Sequence, residues 1–288
     1  MPKKPEPLVI DGHYRYTLSS YEPVSITVTV PHLTDDEVAC GVAGVLAESG
    51  LADGETASDA WVREHVSVVS SIDELRQAVR AQLEALNSRS ADASKPALCA
   101  EQLAARLEQD VPASAVAEVR ATLMDDLKAQ VGQAGISLDD ALAGMGVPAG
   151  TLESMLDGQA RVESEKDAAL DAMADKLGIT VDETELPGLL GLSPKATQEL
   201  VAQARAHGGL DPVLRHARRK KASDSVVGAC SCTYRRESAE EAERRVRMAQ
   251  ERRAGWTMPG EAAPQKPDRP EPAQDGPRPD SRSHLKLV

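Results

Sequence analysis

The chain contains no phenylalanine, and its two Trp and four Tyr are the only aromatic residues in 288 positions. A thick globular interior is normally filled by aromatic rings, which bury the largest area per side chain. Here the core must come from Ala, Val and Leu. These suit slender helices packed closely against one another. The expectation is a mostly α, elongated helical scaffold with shallow grooves rather than deep pockets.

Alternation is confined to the front of the chain. Tyr14, Tyr16 and Leu18, then Val24, Ile26, Val28 and Val30, recur at period two, predicting two short strands broken at Ser19–Pro23. After Pro31 the grammar becomes helical. Thr34-Asp35-Asp36-Glu37 is a capping box, and Ser71-Ile72-Asp73-Glu74 is a second one, opening a stripe of Leu75, Val79, Leu83 and Leu86. Residues 51–59 form a short polar connector, and Asn87–Lys95 reads as a polar loop. From Ser114, a face of Val116, Val119, Leu123, Leu127 and Val131 runs to Gly135, a glycine stop. Ser137 caps a short helix through Leu142. A glycine- and proline-rich corner then leads to a long helix carrying Leu152, Met155, Leu156, Val162, Leu170 and Met173, stopped by Gly178. Shorter helices are expected near 181–190 and 193–206, and a further segment from Asp211 through Val227. The Cys230-Ser231-Cys232 run reads as a packed helix end, and Glu237–Ala254 as a charged, solvated helix.

The organisation expected is an extended or β segment over 1–33, a helical domain over 34–235, a charged helix over 236–257 and a Pro-rich tail over 258–288. So many prolines among charges predict that the tail stays disordered, because it cannot bury enough apolar area to offset ordering entropy.

Charge is polarised along the chain. The net charge is -13, yet twelve basic residues against six acidic ones between Arg215 and Arg253 leave +6 there and -19 elsewhere. An acidic molecule of this kind is repelled by phosphate as a whole. The basic block keeps an RNA or ribosome contact open, although its interleaved Glu and Arg also fit i,i+4 pairing on a solvated helix. No secretory leader or membrane span is read in the sequence, so a cytoplasmic location is the default. The four cysteines lack CxxC spacing, and the six histidines show no ligand spacing, so no metal or cofactor is expected. No phosphate-binding glycine loop and no nucleophile elbow is present, and an enzyme is not expected.

Read in order, SSIDELRQAVRAQLE, then DVPASAVAEVRATLMDDLKAQVGQAGISLDDALAGMG, then a long helix ending KLGIT, resemble the C-terminal chaperone domain of trigger factor. LDPVLRHARRKKASDSVVGACS is similar to the last core helix of that family. The resemblance implies two helical arms forming a cradle whose inner face shows small apolar patches to unfolded or nascent polypeptides. It also implies that the ribosome-docking and prolyl-isomerase modules are missing, since residues 51–59 stand where the isomerase would be inserted. Without Phe, an aromatic isomerase pocket cannot be assembled. The client-groove candidates are Val119, Leu123, Leu127, Leu142, Met145, Leu152, Met155 and Met173. Met suits a surface that must accept many partner shapes, although each of these residues also fits a plain interhelical core. The function expected is an ATP-independent holdase, possessing no cofactor and acting in folding and protein transport. Two other readings stand beside it, a helical adaptor with one folded partner and an RNA- or ribosome-associated protein. Oligomeric state is left open.

Overall fold

The computed structural model describes residues 4–10, 12–52, 54–133, 135–144, 149–207 and 209–254. The candidate Met145 and the tail 258–288 lie outside them. The chain opens with an antiparallel hairpin, β1 (Leu8–Ile10) and β2 (His13–Arg15), turned at Gly12, whose φ of 78° favours glycine. Tyr16 and Leu18 then pass into the core, where Leu18 makes an isolated bridge to Leu107.

β3 (Ser25–Val30) alternates as its sequence predicts, with Ile26 and Val28 turned inward. Its partner was not legible. β3 pairs in parallel with β4 (Ser231–Arg236), in a register that sets Ile26 beside Cys232 and Val28 beside Tyr234. Of the Cys230-Ser231-Cys232 run expected as a helix end, Cys230 does close α10 (Asp211–Ala229), but Ser231 and Cys232 begin a strand that ties the front of the chain to its far end. β3 is accordingly part of the helical unit rather than a segment before it.

The helices follow their caps. α1 (Asp35–Glu48) starts at Thr34, whose Oγ1 accepts from the Glu37 N–H at 3.2 Å, while the Glu37 carboxylate accepts from the Thr34 N–H at 2.9 Å. α2 (Asp59–His65) is a short helix. α3 (Ile72–Ala93) starts at Ser71, which accepts from the Glu74 N–H. Here Glu74 reaches back to the N–H of Ser70 rather than Ser71, at 2.7 Å. The expected loop at Asn87–Lys95 is instead the last turns of α3 and the start of α4 (Lys95–Ala104). The stretch contains neither Gly nor Pro, Ser88, Arg89, Ser90 and Asp92 face water, and Ala91 is buried against the core, so packing overrides polarity.

α5 (Ala113–Gln133), α6 (Leu138–Gly144) and α7 (Ala149–Lys176) form a helical hairpin. α7 ends at Gly178 (φ 63°), where the N–H groups of Gly178 and Ile179 close on the carbonyls of Asp175 and Ala174. A 3₁₀ turn leads into α8 (Leu186–Leu190), then α9 (Pro194–His207), α10 (Asp211–Ala229) and, after β4, α11 (Ala239–Ala254).

Two apolar clusters hold these elements. The larger joins the inner face of β3 to Cys99 and Leu103 of α4, Val226 of α10 and the C-terminal half of α7. α7 contributes Ala168, Ala169 and Ala172, small side chains that let α4 and α10 approach closely. The smaller cluster joins α1 to α3 through Val38, Val42, Leu75 and Val79. The two helices approach so closely that a Cβ at Gly41 would lie 2.8 Å from Val79 Cγ1.

Candidate client-binding surface

α5 has the periodicity of a packed helix, yet not one of its residues is buried. It packs against α7 alone along most of its length, with Arg120 bridging to Asp157 at 3.1 Å, so one side of its apolar stripe stays open. Val119, Leu123 and Leu127 are half-buried on that stripe. Leu142 of α6 and Leu152 of α7 are half-buried as well. Met155 is 65% exposed, whereas Leu156 beside it is buried. Val162, seven residues further along α7 and hence near the same face, is also exposed.

Met173 is a correction. It is only 9% exposed and belongs to the main apolar cluster with Ala169, Ala172 and Leu103, so it cannot present itself in a groove. The cause is its position on α7. Met155 lies in the half that projects with α5, and Met173 lies in the half that α4 and α10 enclose.

At the base of the hairpin, a cleft of about 650 Å³ opens between β2, α5, α7 and α10. Tyr14, Ala115, Val119 and Leu214 give it apolar walls. Its floor is an ion-pair network. Arg219 holds Asp171 with both carboxylate oxygens, at 2.8 and 2.6 Å, and reaches Asp167 at 2.5 Å. Asp175 accepts from Arg15 at 2.5 Å and from Arg218 at 2.6 Å, and Arg218 also donates to the Ile179 carbonyl.

The electrostatics follow from this packing. Burial and the neighbouring Asp171 push the Tyr16 phenol up to about 12, so it stays protonated. Burial raises Asp167, which Arg219 only partly opposes. Burial acts in the same direction on Asp175, but the hydrogen bonds from Arg15 and Arg218 outweigh it and hold this carboxyl below its usual value. The cleft floor is thus a brace between α7 and α10. Among the described residues, no group of three or more His, Cys, Asp or Glu is arranged to hold a metal ion.

The same geometry accounts for most of the basic block. Arg215 pairs with Asp211, Lys220 with Asp224, and Lys221 with Glu185 and the Thr180 carbonyl. Arg235 pairs with Glu241, and Arg245 is held by Glu37, Glu237 and the His32 carbonyl. Sequence reading missed this network although its signal was present. Asp167, Asp171 and Asp175 recur at intervals of four, an acidic stripe along one face of α7, and Arg215, Arg218 and Arg219 share a face of α10.

Among the described residues, no helix is long and apolar enough to cross a membrane. No curated protein matches the chain. The family model described as bacterial trigger factor protein (TF) C-terminus matches residues 71–228, from the cap of α3 to the end of α10 and over more than half of the chain. That region is the chaperone part of trigger factor and not its isomerase domain. The helical hairpin and the α7 and α10 side of the brace at its base lie within the matched span, and the chain belongs to the trigger factor C-terminus family.

Proposed function

We propose that the protein is an ATP-independent holdase that receives non-native polypeptide on the open side of the α5–α7 hairpin. The observation that carries this reading is α5 itself, a 21-residue helix with an apolar stripe and no buried residue. A helix of this kind gains little by packing and leaves its apolar side available to a partner. Val119, Leu123, Leu127, Leu142, Leu152 and Met155 are the contact residues proposed, with exposed Met155 at the centre.

Magnitudes favour transient capture. Covering one such side chain is worth about 1.5–3 kcal/mol at most, and half-buried residues give less. A few contacts, set against the ordering costs of association, yield weak binding and fast release without nucleotide. The acidic surface keeps the protein soluble while the stripe stays open. Clients in folding or transport, and a cytoplasmic setting, belong to this proposal.

The RNA or ribosome reading is weaker, because the arginines of α10 are engaged within the protein. Arg236, Arg244 and Arg247 are the exposed basic residues left to it over 215–251. The deciding experiment is aggregation suppression on several chemically unrelated denatured proteins, with and without ATP, over a range of salt. Suppression of all of them at near-stoichiometric ratios, independent of ATP, is expected. Protection of a single client would favour the adaptor, and a steep fall of nucleic-acid binding with salt would favour the basic block.

A further inference from the structure

Three of the four cysteines meet at one place, Cys99 being distant in sequence from the other two. Cys99 of α4 is 1% exposed in the main core, and Cys230 and Cys232, both half-buried, pack against that same cluster. Cys40 stands apart, exposed on α1. Cys230 is the joint between α10 and β4, with extended backbone angles of φ -68° and ψ 149°. Two residues apart along extended chain, Cys230 and Cys232 point to the same side, toward α4. Their own Cβ atoms are then about 7 Å apart, beyond the roughly 4 Å that a disulfide requires. Any bond in this cluster must use Cys99.

The two possible partners of Cys99 differ in freedom. Cys232 is fixed in the ladder opposite Ile26, within a strand paired along its length. Cys230 precedes the first ladder pair, Ser25 with Ser231, and sits where helix gives way to strand. Cys230 thus lies outside the ladder pairs that hold β4 in place.

We propose that Cys99 and Cys230 form a reversible disulfide site that responds to peroxide. The Cys230 thiolate attacks one peroxide oxygen and the O–O bond breaks. Its sulfur is oxidised to a sulfenic acid, and the departing hydroxide takes a proton to leave as water. The Cys99 thiol then displaces the hydroxyl from that sulfur, and as the S–S bond forms its proton passes to the departing hydroxide, which leaves as a second water. Two thiols and one peroxide thus give one disulfide and two waters. The division of roles follows exposure, since Cys230 reaches solvent and Cys99 does not. Burial and the adjoining thiols also push Cys99 up to about 12, which keeps it from reacting first with peroxide. The bond clips α4 to the joint between α10 and β4, and a thiol reductant opens it again. This inference does not depend on the chaperone reading.

The test uses the full chain carrying Cys40→Ser, which removes the exposed thiol outside the cluster. The folded protein is exposed to hydrogen peroxide, alkylated with iodoacetamide, digested and mapped by mass spectrometry. The expected result is a loss of about 2 Da, the two thiol hydrogens, with a peptide linking Cys99 to Cys230 that dithiothreitol separates. Adding Cys230→Ser, at a half-buried position, should leave Cys99 reduced at the same peroxide dose. The proposal is overturned if Cys99 stays reduced while Cys230 proceeds to sulfinic acid, if the link forms to Cys232 instead, or if Cys99 oxidises equally in the Cys230→Ser protein.

Discussion

Met155 and Met173 stand on one helix in similar sequence surroundings, and replacing each by serine separates surface from core on a single thermometer. Met173 is enclosed by Ala169, Ala172 and the residues of α4. Truncating a buried Met costs about 2–5 kcal/mol through lost transfer energy and the cavity left behind. A serine hydroxyl in that cavity adds to the cost unless it finds a partner. For a domain of this size, each kcal/mol moves the midpoint by about 2–4 °C, so Met173→Ser should melt roughly 4–20 °C early. Met155, at 65% exposure, loses little packing. Met155→Ser should change stability by no more than about 0.5 kcal/mol, or about 1–2 °C. Circular dichroism melts measure this directly, and the same samples enter the aggregation assay. Met155→Ser is expected to melt like the parent while suppressing aggregation less well. A large early melt for Met155→Ser would refute its surface placement. Unchanged melting with fully retained suppression would refute its role in holding clients.

Gly41→Ala should lower stability by about 1 kcal/mol, because overpacking against Val79 outweighs the helix-propensity gain, whereas Gly44→Ala, whose Cβ meets open space, should raise it by a similar amount. Denaturant midpoints of the two variants decide this, and equal gains would show that α1 and α3 can move apart. The carboxyl of Asp175 is held below its unfolded value by Arg15 and Arg218 once burial is overcome, so its stabilisation is present above the ordinary carboxylate range, near pH 4, and is lost as pH falls through the depressed value. The stability gap between parent and Asp175→Asn should therefore be constant near neutrality and close under acid, and a gap unchanged down to about pH 3 would refute the pairing. In a proline-containing peptide assay the protein should leave the isomerisation rate at its uncatalysed value, and a faster rate abolished by a substitution in this chain would overturn that expectation.

Much of this molecule is written locally. Thr34 with Glu37, the stops at Gly135 and Gly178 and the α5 stripe each act within a turn or two of helix, and neighbouring residues suffice to announce them. The lack of Phe likewise foretold a core of small side chains, which the alanine face of α7 supplies. What tertiary structure alone decided depends on partners from elsewhere in the chain. The alternation of β3 marked a strand, but nothing near it named β4, because parallel pairing joins segments through backbone groups that every residue carries. The stretch Asn87–Lys95 reads as a loop until Ala91 meets the core. Met155 and Met173 share a helix and an apolar pattern, and only the approach of α4 and α10 to one half of α7 buries one and leaves the other open. The same approach turns an acidic stripe and a basic block, either of which reads as a solvated face by itself, into the brace beneath the cleft. Periodicity tells which side of a helix is apolar, while burial is a property of whatever packs against it.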